Sequence, residues 1–257
     1  MACCRAPDRA ADRKDDGGFN KTPTRSPWPA PQTPADGGHR NTVWLCDGPQ
    51  GPVVAKSTRR TEAQLRWLTP LHHAARAAGF LVPSLKQSPS GHVLHQGWTI
   101  EPWVQGRAAQ TSDMAALVSR IRAFHATCPV LPQRPGFCSL PELITQIRSG
   151  DIDLTPLPAN ILPDLRIAWA AVKDALAQPI HGDLGPANVI LTDGGTCLID
   201  WDESRVDLPA LDLIHSAPQP PEITRAHLAL EIASCWHSEP DHARHLLARF
   251  SLSTNGS

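Results

Sequence analysis

The chain has 257 residues and a formal net charge of −1. This length allows one large domain or two small lobes. The near-neutral charge gives no electrostatic case for binding nucleic acid or a membrane surface, and no apolar segment is long enough to span a bilayer. The seven cysteines show no metal-ligand spacing, so we expect reduced thiols in a cytoplasmic protein.

The N-terminal segment differs in composition from the rest of the chain. Residues 1–35 are rich in Pro, Asp, Arg and Gly and almost lack large aliphatic side chains. Such a segment cannot bury enough apolar surface to offset its ordering entropy, so we predict a disordered tail. Residues 36–104 are predicted to form a small sheet lobe with a helix at 61–68. Its strands are predicted at 41–46, 52–56, 81–85, 92–95 and 98–104.

Residues 105–257 are predicted to form a mainly helical lobe. Ser112 is a good N-cap, and apolar residues follow at helical spacing as far as Phe124. Further helices are predicted at 139–147 and 161–176, and the last forty residues alternate helical patterns with Pro breaks. The fold class is therefore α+β, with an antiparallel-sheet lobe followed by a helical lobe.

A hairpin with polar residues at its open end interrupts the helical lobe. Two apolar, β-branched runs at 189–192 and 196–199 flank the turn signal Asp193-Gly194-Gly195. A three-residue loop pairs Thr192 with Thr196 and places Asn188 opposite Asp200, whereas a two-residue loop shifts the register by one. An amide oxygen and a carboxylate that converge in this way suit Mg²⁺.

The residues around this hairpin carry a family resemblance. The stretch His181-Gly-Asp-Leu-Gly-Pro-Ala-Asn188 resembles the catalytic loop of the aminoglycoside phosphotransferase and choline kinase superfamily, and Leu198-Ile-Asp-Trp-Asp202 resembles its metal-binding segment. The resemblance covers about residues 36–215. It implies a two-lobed protein-kinase-like fold and an ATP- and Mg²⁺-dependent kinase that phosphorylates a hydroxyl of a small molecule.

The resemblance also implies roles for individual residues. Asp183 would orient the acceptor hydroxyl and take its proton, while Asn188 and Asp200 would hold Mg²⁺ on the ATP phosphates. His181 would brace the loop, and Asp212 would accept hydrogen bonds from it. Taken singly, these residues could instead be loop caps and turn formers, but their order and strand–turn–strand context favour the kinase interpretation.

The sheet lobe should supply the nucleotide-binding residues. Lys56 ends an apolar strand, where the family places its phosphate-binding lysine, and Glu62 is the only glutamate before Glu101 that could support it. Glu62 could equally be a first-turn helix charge. Gly37 and Gly38 resemble the turn that covers the phosphates, although two glycines after a tail can also be a flexible junction.

Thr99-Ile-Glu-Pro-Trp-Val104 resembles the connector between the two lobes, and backbone groups of Glu101 and Trp103 would pair with the adenine edge. The residues themselves suggest an acceptor pocket. The acids at 202, 203 and 207, with the tryptophans at 169, 201 and 236, would suit a cationic alcohol that is aminoglycoside-, choline- or thiamine-like, although exposed loop acids are usually only solvated.

Two other functions stay open at this stage. One is a non-catalytic, nucleotide-binding pseudokinase, which the short separation of Glu62 from Lys56 favours. The other is a metal-dependent phosphoesterase, which would need more clustered metal ligands than the sequence shows.

Overall fold

The computed structural model of the chain describes residues 33–34 and 41–252. The β-strands are β1 (Thr33–Pro34), β2 (Val43–Gly48), β3 (Gly51–Ser57), β4 (Trp98–Pro102), β5 (Arg107–Ala108), β6 (Arg148–Ser149), β7 (Ile152–Asp153), β8 (Gln178–Ile180), β9 (Val189–Thr192), β10 (Gly195–Leu198) and β11 (Arg205–Asp207). The α-helices are α1 (Glu62–Arg66), α2 (Thr69–Ala77), α3 (Thr111–Met114), α4 (Val118–Thr127), α5 (Leu162–Ala170), α6 (Pro221–Cys235) and α7 (Pro240–Leu252).

The first sheet is antiparallel and has the strand order β1-β2-β3-β4. Because side chains alternate along a strand, its two faces differ. One face packs Cys46, Val53 and Ile100 into a small core. The opposite face carries Lys56 on β3 and Glu101 on β4. This sheet therefore presents a polar face that can bind a ligand.

The strand predictions for this sheet were partly right. The strands predicted at 41–46, 52–56 and 98–104 correspond to β2, β3 and β4. Those at 81–85 and 92–95 are wrong, because both segments contribute only isolated bridges. The edge strand β1 lies inside the predicted tail of residues 1–35, and most of that tail lies outside the described residues.

The helices after β3 begin where the sequence places their signals. Thr61 caps α1 in a capping box with Gln64, and α2 restarts at Thr69 with Pro70 in its first turn. The helix predicted at 139–147 is wrong. Only a 3₁₀ turn forms at Glu142–Ile144, because the chain then turns into the β6–β7 hairpin.

Two larger hydrophobic cores lie outside the first sheet. Phe124 of α4 packs with Leu71 of α2 and with Leu198 and Trp201 around the β9–β10 hairpin. The second core joins α5, α6 and α7. The predicted α+β fold class is thereby confirmed. The chain leaves the first sheet after β4, and β5 pairs with β9; a lobe boundary at residues 104 and 105 stays a prediction.

Across the part of the chain that the structure describes, no helix combines the length and the apolar character that a membrane crossing requires.

Candidate active site

The His181–Asn188 loop is fixed from below by one buried carboxylate. Asp212 accepts hydrogen bonds from the backbone N–H groups of His181 and Gly182, each at 2.9 Å, and pairs with His125 at 2.9 Å. Burial alone would raise the pKa of Asp212, but the hydrogen bond and charge of His125 outweigh it and lower the pKa. The prediction that Asp212 receives hydrogen bonds from the loop is confirmed.

Only glycine fits the second position of this loop. Gly182 has a φ of +88°, and a Cβ atom there would lie 2.2 Å from the carbonyl oxygen of Glu203. His181 is fully buried and its Nε2 lies 3.0 Å from the Ile199 carbonyl oxygen. The loop therefore packs directly on the segment that follows β10.

Asp183 and Asn188 contact each other at the exposed end of the loop. The Asn188 side-chain amide donates to Asp183 Oδ2 at 2.9 Å and to the Asp183 carbonyl oxygen at 2.8 Å. These bonds occupy the amide nitrogen and leave the amide oxygen of Asn188 as the atom that can bind a cation. The Asp183 carboxylate is solvent-exposed, so an acceptor can approach it.

The register of the β9–β10 hairpin differs from the predicted one. Thr192 pairs with Gly195 across a two-residue loop, so Asn188 lies opposite Ile199 and not Asp200. The three-residue loop was wrong because Gly195, with a φ of +135°, enters the ladder. Asp200 is the next residue and adopts a left-handed backbone with a φ of +60°, a conformation that costs free energy.

Lys56 reaches across from the sheet to the segment after β10. Its Nζ lies 2.5 Å from Asp200 Oδ1 and 3.3 Å from Asp202 Oδ2. Burial would lower the pKa of Lys56, but the two carboxylates raise it above its usual value. Asn41 also donates to Asp202 Oδ2 at 2.9 Å. Asp202 is therefore held between a lysine and an amide.

The predicted support of Lys56 by Glu62 is absent. Glu62 accepts hydrogen bonds from the backbone N–H groups of Val93 and Leu94 and pairs with Arg66 at 2.7 Å. Its position at the start of α1 directs the carboxylate to the 93–94 segment, while Asp202 supplies the second negative charge at Lys56. Glu62 therefore acts as a helix charge and a cap for that segment.

Two buried arginines hold the 201–204 turn that follows Asp200. Arg134 is fully buried and donates to the carbonyl oxygens of Trp201, Asp202 and Ser204 at 3.3, 2.8 and 3.0 Å. Its Nε donates to the Gln64 carbonyl oxygen in α1 at 3.1 Å. Arg134 thereby connects the 201–204 turn to helix α1, which follows β3.

The second of these arginines, Arg60, is also buried and forms a two-pronged ion pair with Asp151 at 3.0 and 2.9 Å. It lies 3.6 Å from Glu203, and its guanidinium stacks over Phe137, as that of Arg134 does. Sequence reasoning missed both arginines, because their partners are more than sixty residues away along the chain and no local pattern marks them.

The oxygen donors of this site suit a cation that takes its remaining ligands from the substrate. Among the described residues, no group of three or more His, Cys, Asp or Glu side chains could hold a metal by itself. The Asp200 carboxylate and the Asn188 amide oxygen are two hard oxygen donors. Mg²⁺ commonly takes one or two protein carboxylates and completes its shell with water and phosphate oxygens, so these residues fit it.

The connector after β4 offers fewer backbone donors than predicted. The Trp103 N–H donates to the Pro52 carbonyl oxygen at 3.0 Å and continues the sheet, so it is not free for a base. The Glu101 carboxyl group lies on the same sheet face as Lys56. Burial raises the pKa of Glu101 to about 7; Lys56 opposes this rise, and Asp200 and Asp202 add to it. Gly37 and Gly38 lie outside the described residues.

The acids predicted to attract a cationic acceptor are occupied by internal cations. Asp202 pairs with Lys56, and Glu203 lies beside Arg60. Asp207 is fully buried and accepts from Arg205 at 2.8 Å. Two tryptophans of the predicted aromatic surface, Trp169 and Trp201, lie in the cores, while Trp236 is partly buried.

The chain matches the family model of the "phosphotransferase enzyme family" over residues 31–246. Among curated proteins, none matches the chain in a sequence comparison.

Solved structures show the same fold at low sequence identity. The choline kinase LicA from Streptococcus pneumoniae has a TM-score of 0.62 at 14% identity, with 84% of this chain and 91% of that chain covered. A thermostable mutant of aminoglycoside phosphotransferase APH(4)-Ia, a ternary complex with AMP-PNP and hygromycin B, has a TM-score of 0.59 at 11% identity, with 88% and 94% covered. The GDP and kanamycin complex of APH(2")-IIIa has a TM-score of 0.55 at 12% identity, with 88% of this chain and 94% of that chain covered. These likenesses confirm the kinase-like fold.

Proposed function

Since the chain belongs to the phosphotransferase enzyme family, we propose that it is a kinase that transfers the γ-phosphate of a purine nucleoside triphosphate to a hydroxyl of a small molecule. The resemblance implies ATP as this nucleotide and Mg²⁺ as its cation. The observation that carries the proposal is that the Ile199 N–H donates to the Asn188 carbonyl oxygen, which joins the Asp183–Asn188 pair to the segment whose Asp200 pairs with Lys56.

Asp183 is the general base in this proposal. Asn188 holds Oδ2, so Oδ1 can accept the proton of the acceptor hydroxyl. A positioned base typically contributes about 10²–10⁴ in rate. The brace from Asp212 keeps the loop in place while the proton moves.

Asn188 and Asp200 would hold Mg²⁺, which neutralises charge on the phosphates when bound. Lys56 would bind a phosphate oxygen from the sheet side. Its present partners show that it reaches the position of the Asp200 carboxylate, and Asp202 keeps it oriented. Charge neutralisation from two sides is what phosphoryl transfer requires.

The acceptor is a small molecule with a free hydroxyl. A cationic alcohol is one class to test, because Glu231 on α6 is close enough to Asp183 for the two carboxylates to interact. Burial raises the pKa of Glu231, His242 and Arg249 oppose the rise, and Asp183 adds to it. We further propose that the enzyme acts in the cytoplasm, which the thiols of Cys128, Cys138 and Cys197 support because they form no disulfide.

An acceptor screen coupled to release of the nucleoside diphosphate tests this function. The wild type should release diphosphate only with Mg²⁺ and a suitable alcohol. The rate of this release should be at least about 100-fold lower in Asp200→Asn. Asp164→Asn, which changes an exposed aspartate in the first turn of α5, is the matched control. Nucleotide binding without turnover across the screen would instead support the pseudokinase.

A further inference from the structure

Glu101 is an acidic residue on the cleft side of the first sheet that the phosphoryl transfer does not use. In the β3–β4 ladder, Lys56 pairs with Thr99 and Val54 pairs with Glu101. Residues two apart on a strand share a face, and directly paired residues project to the same side. Glu101 therefore lies on the face from which Lys56 reaches Asp200.

The position of Glu101 along the strand places it toward the base of a nucleotide. It lies two residues beyond the Lys56–Thr99 pair, which corresponds to roughly 7 Å. The direction leads from Lys56 toward Trp103, where the chain leaves the sheet. A nucleotide whose phosphates lie at Lys56 would extend its sugar and base along this path.

From Glu101 to Trp103, the connector offers a base the Glu101 carboxylate as an acceptor but no unoccupied N–H donor. An ionised carboxylate only accepts hydrogen bonds, Pro102 has no N–H, and the N–H of Trp103 is bound to Pro52. Adenine presents one N–H₂ donor beside the acceptor N1, so it needs a donor from the protein. Guanine presents N1–H and N2–H₂ side by side, and one carboxylate can accept both.

We propose that Glu101 selects the nucleotide, because its carboxylate accepts N1–H and N2–H₂ of guanine, so that the kinase binds GTP more tightly than ATP. This inference rests on the proposed function, since it assigns the base of the same nucleotide. Lys56, the cation that attracts the Glu101 carboxyl group, forms its ion pairs with Asp200 and Asp202, so the Glu101 carboxyl group can bind the base.

The test is calorimetric binding of Mg²⁺·GMP-PNP and Mg²⁺·AMP-PNP to the full chain at pH 8, where Glu101 is ionised. The wild type should bind the guanine analogue about 10- to 100-fold more tightly, the discrimination typical of a two-pronged base contact. Glu101→Gln has an amide that both donates and accepts, which matches adenine, so its preference should move to AMP-PNP. Glu101→Met should bind both analogues with similar affinity.

Glu222→Gln is the control, because Glu222 is exposed at the start of α6; its preference should equal that of the wild type. Equal binding of both analogues by the wild type, or an unchanged ratio in Glu101→Gln, would overturn the inference and leave the proposed function intact. Binding of neither analogue would overturn both together.

Discussion

Arg134 offers the sharpest test of how the 201–204 turn after Asp200 is held in place. The Arg134→Met variant keeps an apolar stem of similar length but removes all four hydrogen bonds from the guanidinium. A buried polar group left without its partner costs about 1–3 kcal/mol. Burial and the charge of Arg60 lower the pKa of Arg134 to about 10, so removing the guanidinium also relieves some desolvation. The net loss of stability should be about 3–5 kcal/mol.

Urea unfolding of the wild type and the variant measures this loss directly. Arg244→Met is the matched control, because Arg244 is exposed on α7 and, among the described residues, pairs with the exposed Asp241 alone; it should change the free energy of unfolding by less than about 0.5 kcal/mol. The Mg²⁺-dependent part of nucleotide affinity should also fall in Arg134→Met, since the 201–204 turn follows Asp200. A loss below about 1 kcal/mol with normal Mg²⁺ dependence would refute the positioning role.

Three further predictions follow from glycine and histidine positions. Gly182→Ala should destabilise the fold by at least about 2 kcal/mol in urea unfolding, because of its positive φ and the Glu203 carbonyl. Gly79→Ala has a similar φ but open space around it, so it should cost only about 1 kcal/mol, and an equal cost would contradict the steric argument. Burial lowers the pKa of His72 to about 3. The unfolded chain therefore binds a proton that the folded chain does not, and stability should fall as the pH drops below 6.5, by about 2 kcal/mol at pH 5. His72→Gln should flatten this dependence, and an equally steep pH profile in the variant would contradict it.

The position of the His181–Asn188 loop was readable from the sequence because its residue order and the hairpin after it follow local rules. The order of His181, Asp183 and Asn188 before a hairpin fixed the context of the loop. The role of Asp212 came with the family resemblance, and the structure confirms its hydrogen bonds to the loop. The start of the helix predicted at 61–68 also depends only on neighbouring residues, because Thr61 caps α1.

The predictions that were wrong depend on contacts between residues that are distant in the sequence. A one-residue change in the hairpin loop moved Asn188 opposite Ile199. Glu62 was the nearest acid to Lys56 along the chain, but the acids nearest in space are Asp200 and Asp202. The acids at 203 and 207 looked exposed until their arginine partners were known. Sequence patterns carry no information on such pairings.

The most direct test of the account is to separate transfer from binding in the Asp183→Asn variant. Phosphorylated product is measured from the Mg²⁺ complexes of ATP and GTP with any alcohol that the wild type uses, and affinity is measured with the non-hydrolysable analogues. Transfer should fall about 10²–10⁴-fold while affinity stays within a few-fold of the wild type. A variant that transfers phosphate at the wild-type rate would contradict the assignment of Asp183 as the base and the reaction built on it.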